Sequence, residues 1–291
     1  LNYGAILQAY ALENILAEVG VYAEIIDYRC LYTECVYRPI DIRHCKNISS
    51  GAKKCVKSFE LIKKRRRFNE FTKKHLRVTK KCETKADLQR TAAKFDAVIT
   101  GSDQVWNPNA TGGDFGYFLD FVGSGTKKIA YAASIGYRTF PPKYESKCIE
   151  YLKGFESISV REKSACKTVA ESADKDVENV LDPTLLLSDL RWLDIAKKPR
   201  NLPHRYILVY MMEGCKYTIE KARALARDKE CDLVLINPTL RQRQTCKDFV
   251  MYKAASPEEF VGMFAQADAV VTNSFHGVVF SLIFKKEFYA E

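Results

Sequence analysis

The chain has 291 residues, 47% of them hydrophobic, and its 46 Lys/Arg against 36 Asp/Glu give a formal net charge of +10. That length can hold two domains with separate cores, and the apolar content is ordinary for a globular protein. No apolar run approaches the length of a membrane span and no secretory signal is visible, so the expected setting is cytoplasmic.

The sequence opens at Leu1 on what reads as a helix and closes at Glu291 as a new strand starts. The expectation is that both ends are cut, with a first strand and the last elements missing. Residues Ala5–Leu16 place Ile6, Leu7, Tyr10, Leu12 and Ile15 on one broad face, which predicts a helix that Gly20 ends. Tyr22–Asp27 reads as a strand around Ile25 and Ile26. Residues 31–93 break this rhythm and read as a basic, partly helical insertion, with Cys55–Phe71 as one helical piece.

Within that insertion the charge is concentrated. Residues 53–81 carry thirteen Lys/Arg against Glu60 and Glu70, with Lys63-Lys64-Arg65-Arg66-Arg67 at the centre. Such a run could hold an anionic membrane surface, a phosphorylated glycan carrier or nucleic acid, or be a solvated helix face. No nucleic-acid module surrounds it, so no nucleic acid is expected. Ten cysteines are present, and Cys30, Cys35, Cys45 and Cys55 lie near His44. Their gaps do not fit a zinc site, so neither a metal nor disulfides are expected.

The α/β alternation resumes at Phe95–Thr100, a strand running into Gly101-Ser102-Asp103-Gln104. Lys127–Ala132 is a second strand, ending at Ala133-Ser134-Ile135-Gly136, and Pro142–Gly154 is helical. Ser157–Val160 ends on Arg161-Glu162, helix Lys163–Ala170 follows, and Val177–Leu181 ends on Asp182-Pro183-Thr184. Leu185–Pro203 is a connection. A second set then predicts strand Tyr206–Tyr210, helix Lys216–Lys229 and strand Leu233–Ile236. Helix Pro257–Gln266 opens with a Ser256/Glu259 capping box, and strand Ala269–Thr272 follows. In Val270-Val271-Thr272-Asn273-Ser274-Phe275-His276-Gly277, a buried strand hands over to the helix-like run Val278–Phe284. Helix N-termini favour anions, and ligands of open α/β sheets gather at the strand carboxyl ends. An imidazole held there can act as a base near pH 7; alternatively, Asn273 or Ser274 merely caps the helix and His276 packs. The reading is an α/β protein of two Rossmann-like domains facing a cleft, 1–187 and 188–291, the second incomplete.

Several of these tips, with the opening Asn2-Tyr3-Gly4-Ala5-Ile6-Leu7-Gln8-Ala9-Tyr10, resemble the polysaccharide pyruvyl transferase family. The resemblance runs through Gly101-Ser102-Asp103-Gln104-Val105-Trp106-Asn107-Pro108, Ser159-Val160-Arg161-Glu162, Leu181-Asp182-Pro183-Thr184 and Thr272-Asn273-Ser274-Phe275-His276-Gly277. It implies a fold similar to the B-type glycosyltransferases. The implied reaction moves the pyruvate moiety of phosphoenolpyruvate onto two hydroxyls of a glycan as a ketal and releases phosphate. The acceptor would be a surface polysaccharide or its lipid-linked or nucleotide-linked precursor. No cofactor is implied, and work at the inner face of the membrane fits.

For the residues, the resemblance makes His276 an acid/base and Arg161 a bidentate anion clamp. Asp103 would orient a hydroxyl or His276. Ser102, Gln104, Asn273, Ser274, Asn2 and Gly4 would line substrate, and Trp106 would either stack on a sugar or pack in the core. Where some members carry arginine in the last motif, this chain has Ser274, so the donor anion would need Ser274 and backbone N–H groups, or Arg161 and a lysine. A nucleotide-sugar glycosyltransferase and a non-catalytic protein binding anionic surfaces through residues 53–81 are the alternatives.

Overall fold

The computed structural model describes residues 1–30, 32, 48–212 and 214–291, with 48–57 described by their backbone alone. The chain divides into two compact units. Among the described residues, 2–30 and 75–186 form the N-terminal unit, and 48–74 with 187–291 form the C-terminal one.

In the N-terminal unit, helix α1 (Tyr3–Glu18) begins on Asn2, whose Oδ1 accepts from the Gly4 N–H at 2.9 Å. Tyr3, Leu7, Tyr10 and Ala11 form its buried stripe. It ends in a Schellman turn: Val21 N–H donates to Leu16 C=O at 2.8 Å, and Gly20 N–H to Ala17 C=O at 3.1 Å. Gly20 takes a φ of +79°, where a side chain would be strained. The expected strand 22–27 is reduced to two isolated parallel bridges, Ile25 with Val78 and Tyr28 with Cys82. The backbone bonds that tie this stretch to the rest of the unit run to residues 77–82.

Helix α2 (Ile48–His75) belongs to the other unit through residue 74. The basic segment therefore does not form one insertion in the N-terminal half. Helix α3 (Lys85–Ala92) starts on a reciprocal Thr84/Asp87 capping box. Strands β1 (Ala97–Thr100), β2 (Lys127–Ala133), β3 (Ser157–Val160) and β4 (Val177–Asn179) follow, all parallel, in the order β1-β2-β3-β4. Between them lie α4 (Pro108–Thr111), α5 (Glu145–Leu152) and α6 (Lys163–Ala173). Trp106 is fully buried, stacks on Phe118 and meets Phe155 edge-on, and its Nε1 donates to Tyr117 C=O at 3.2 Å. It is a core residue.

The C-terminal unit runs through α7 (Asp189–Leu193), β5 (Tyr206–Tyr210), α8 (Lys216–Asp228), β6 (Asp232–Ile236), α9 (Leu240–Thr245), β7 (Val250–Tyr252), α10 (Pro257–Gln266), β8 (Ala269–Thr272), α11 (Phe275–Ile283) and β9 (Glu287–Ala290). Its five parallel strands take the order β7-β6-β5-β8-β9. Counted along the unit that is 3-2-1-4-5, the doubly wound arrangement, and the switch point lies between β5 and β8. Every residue of β5 and β8 is buried, as expected of central parallel strands covered on both faces. The Ser256/Glu259 capping box forms as predicted.

Helix α2 presents Glu60, Lys64 and Arg67, spaced i, i+4, i+7, to this unit. Glu60 pairs with Arg243 and Lys253, Lys64 Nζ donates to Asn237 Oδ1 at 3.1 Å, and Arg67 pairs with Glu259 and donates to Ala254 C=O. The basic run is thus split: Lys64 and Arg67 are engaged in the fold, whereas Lys63 and Arg66 are exposed.

Candidate functional site

The N-terminal sheet gathers four polar tips at its carboxyl edge. Their centre is Asp182, 1% exposed. One carboxylate oxygen accepts from Thr184 N–H at 3.0 Å and Thr184 Oγ1 at 2.6 Å. The other accepts from Ser102 Oγ at 2.6 Å and from Arg161 Nη1 at 3.2 Å. A buried carboxylate needs such donors, and these bonds tie the tips of β1, β3 and β4 into one piece. Arg161 is largely buried and also meets Glu162 Oε1 at 3.2 Å through Nε. The second Glu162 oxygen is buried with no hydrogen-bond partner among the described residues.

The start of α1 completes this edge. Ser102 N–H donates to Gln8 Oε1 at 3.2 Å, and Gln8 lies against Gly101. Asp103 adopts a φ of +73°, its C=O accepts from Val105 and Ser134 N–H, and its Oδ1 accepts from Gln104 N–H at 2.9 Å. Gly136 has a φ of +69°, and a Cβ there would lie 2.9 Å from Gln104 Oε1. The β1 and β2 tips are therefore locked together by backbone geometry.

The C-terminal sheet builds its own edge at the switch point. Thr272 Oγ1 donates to Tyr210 C=O at 2.6 Å, joining the ends of β5 and β8, and accepts from Ser274 N–H at 3.1 Å. Asn273 Oδ1 accepts from Met212 N–H at 2.8 Å. Ser274 is the N-cap of α11, but its side chain makes no capping bond, and it is buried at 6% exposure. His276 stands in the first turn at 5% exposure, edge-on to the 43% exposed Phe275. The backbone N–H groups at this turn and the helix dipole favour an anion. At the neighbouring β6 tip lies Lys64, whose ammonium is lowered to about 8 by burial.

The structure thus distributes the expected site residues over two edges. Asn2, Gly4, Ser102, Asp103, Gln104 and Arg161 share the N-terminal one, and Asn273, Ser274 and His276 the C-terminal one. Ser102 and Gly4 are buried, Asn2 caps α1, and Gln104 is exposed. Sequence reasoning did not select Asp182, Gln8 or Lys64 as site residues. Lys64 was detectable, because Leu61, Lys64, Phe68 and Phe71 form an i, i+3, i+7, i+10 stripe in which the lysine interrupts apolar positions. Among the described residues no cluster of His, Cys, Asp or Glu could hold a metal, and the described cysteines are free thiols. Cys35, Cys45 and His44 lie outside the described residues, as does the side chain of Cys55. No described helix is long and apolar enough to cross a membrane.

Two Rossmann-like units, each with a polar carboxyl edge, define a protein of the B-type glycosyltransferase fold. The profile of the polysaccharide pyruvyl transferase family matches residues 2–290, and the chain belongs to that family of transferases. No curated protein matches it. Among solved structures, UDP-GlcNAc 2-epimerase from Methanocaldococcus jannaschii in complex with UDP-GlcNAc and UDP is similar at 14% identity and a TM-score of 0.54, covering 98% of this chain and 80% of that one. A further structure of UDP-GlcNAc 2-epimerase from that organism is similar at 10% identity and a TM-score of 0.50, with the same coverage.

Proposed function

We propose that this transferase takes phosphoenolpyruvate as donor and forms a pyruvate ketal on two hydroxyls of a polysaccharide sugar or its precursor. The observation that carries the reading is His276 in the first turn of α11, at the switch point of the doubly wound sheet. The donor carries a phosphate and a carboxylate, and this helix start offers backbone N–H groups to one of them. Ser274, in place of an arginine, leaves the N–H groups and its hydroxyl as local donors.

In the reaction, a proton is delivered to the methylene carbon of the donor, and the first acceptor hydroxyl attacks the neighbouring carbon. The second hydroxyl attacks the same carbon as the C–O bond to phosphate breaks. Two hydroxyl protons are lost; one ends on the new methyl group and one on phosphate. His276 is the group assigned to this proton traffic. Asp103 orients a hydroxyl. The buried Arg161–Asp182–Ser102 network keeps the N-terminal edge rigid, so Arg161 acts through charge and position.

Substrate location at the inner face of the membrane, with the exposed Lys63 and Arg66 on an anionic surface, belongs to the same proposal. The testing experiment incubates the protein with phosphoenolpyruvate and candidate glycans. Phosphate release that needs both substrates supports the reading. Turnover of a nucleotide sugar, with no effect of phosphoenolpyruvate, replaces it with glycosyl transfer.

A further inference from the structure

Helix α2 has a second side, turned away from the buried Lys64, Phe68 and Phe71. Phe59, Ile62, Lys63, Arg66, Lys73 and Lys74 follow one another at i, i+3, i+4, i+7, i+14 and i+15. That spacing sets them on one side of the helix over about 22 Å. All six are exposed.

The charge on this side is not balanced within the fold. Arg66 pairs with Glu70 one turn on at 2.8 Å. Lys63, Lys73 and Lys74 have no carboxylate partner among the described residues. Exposed lysines on other helices are arranged differently: Lys167 and Lys216 pair with Glu171 and Glu220 four residues on. The same side of α2 leaves two large apolar side chains in water, Phe59 at 69% and Ile62 at 53% exposure. One such side chain alone is ordinary. Two of them one turn apart, bordered by unpaired cations, match what a bilayer surface receives: charge for the lipid phosphates and apolar groups for the boundary beneath them. A nucleic acid would use the cations and the Phe59 ring, but it stacks on aromatic groups and gains nothing from Ile62.

We propose that the outer side of α2 docks on an anionic lipid bilayer. Phe59 and Ile62 enter the headgroup boundary, and Lys63, Arg66, Lys73 and Lys74 meet lipid phosphates, so the helix lies along the surface. This rests on the membrane placement in the reading above and names the side chains that make the contact; it uses neither donor nor acceptor.

The test sediments the protein with vesicles of phosphatidylcholine, alone or with about one-third phosphatidylserine. Wild type is expected to bind the anionic vesicles at least about ten-fold more strongly than the neutral ones. Phe59→Ser combined with Ile62→Ser should weaken that binding at least about ten-fold. Lys63→Ser, Lys73→Ser and Lys74→Ser together should weaken it about a hundred-fold, because each cation near the surface contributes about five-fold. All five side chains are exposed, so both variants should keep the wild-type Tm. In Phe59→Trp, anionic vesicles with brominated acyl chains should quench the new indole. Wild type, whose Trp106 and Trp192 are fully buried, should not be quenched. Equal binding to both kinds of vesicle, undiminished binding after the Phe59 and Ile62 changes, or an unquenched indole overturns the proposal. Tighter binding to single-stranded RNA than to the anionic vesicles also overturns it. The vesicles carry neither phosphoenolpyruvate nor glycan, so this assay and the phosphate-release assay fail independently.

Discussion

A Cβ on Gly277 would stand 2.1 Å from Thr272 Oγ1 and 2.8 Å from Thr272 Cβ. Helix α11 thus approaches the end of β8 more closely than any side chain permits. The hydroxyl it presses against also joins Tyr210 to Ser274, so the helix start and the switch point share one atom. Thr272 is fully buried and β-branched, so it has no room to turn away. Gly277→Ala is expected to cost about 1–3 kcal/mol by overpacking and to displace the first turn of α11. Chemical denaturation and turnover measure the two effects. Wild-type values in both would contradict the close approach.

Arg161 and Asp182 form the corresponding contact in the N-terminal unit. Breaking a buried pair by removing one partner costs about 3–5 kcal/mol, whereas removing both costs less. Asp182→Ala should therefore destabilise more than the double variant with Arg161→Met. It also takes an acceptor from Ser102 and Thr184. Urea unfolding of both variants decides this. An Asp182→Ala variant within about 1 kcal/mol of wild type would show that the carboxylate does not hold the edge.

His276 is buried, so alanine would leave a cavity as well as remove the imidazole. The informative change is His276→Gln, which keeps most of the volume. Turnover is expected to fall by about 10²–10⁴-fold, the usual contribution of a general acid/base. The Tm should move by only a few degrees, about 1 kcal/mol in a protein of this size. Turnover within a few-fold of wild type would take the histidine out of the proton steps.

Much of this arrangement was legible because the chain keeps local and tertiary preferences in agreement. Tyr206–Tyr210 and Ala269–Thr272 carry no charged residue, and both are central strands. Ser256 and Glu259 announce α10. Residues 22–27 read as a strand from Ile25 and Ile26, but a strand requires partners in register, and here only bridges to residues 78 and 82 form. The tips that carry the family resemblance do stand at strand ends. What the sequence did not disclose is which polar residues turn inward. Asp182 and Ser102 have the same composition as exposed turn residues, and only three-dimensional pairing distinguishes them. Helix α2 posed the opposite problem, because its net charge concealed the face formed by Glu60, Lys64 and Arg67.

That face supplies a pH test. Burial lowers the Lys64 ammonium from its ordinary value of 10.5 to about 8. Below pH 8 both folded and unfolded chains carry the proton, and the full penalty for burying the charge opposes folding. Between pH 8 and about 10.5 the folded chain has released the proton while the unfolded chain retains it. The unfolded state then binds more protons, so this group makes stability rise with pH across that window. The drop from 10.5 to about 8 corresponds to roughly 3 kcal/mol. Other lysines and tyrosines titrate over the same range, so the quantity to measure is the difference between wild type and Lys64→Met, from urea unfolding at about pH 7 to 10.5. Wild type should gain on the variant as pH rises. A difference that stays flat would mean that the ammonium remains hydrated in the folded protein and that its bond to Asn237 is made at the surface.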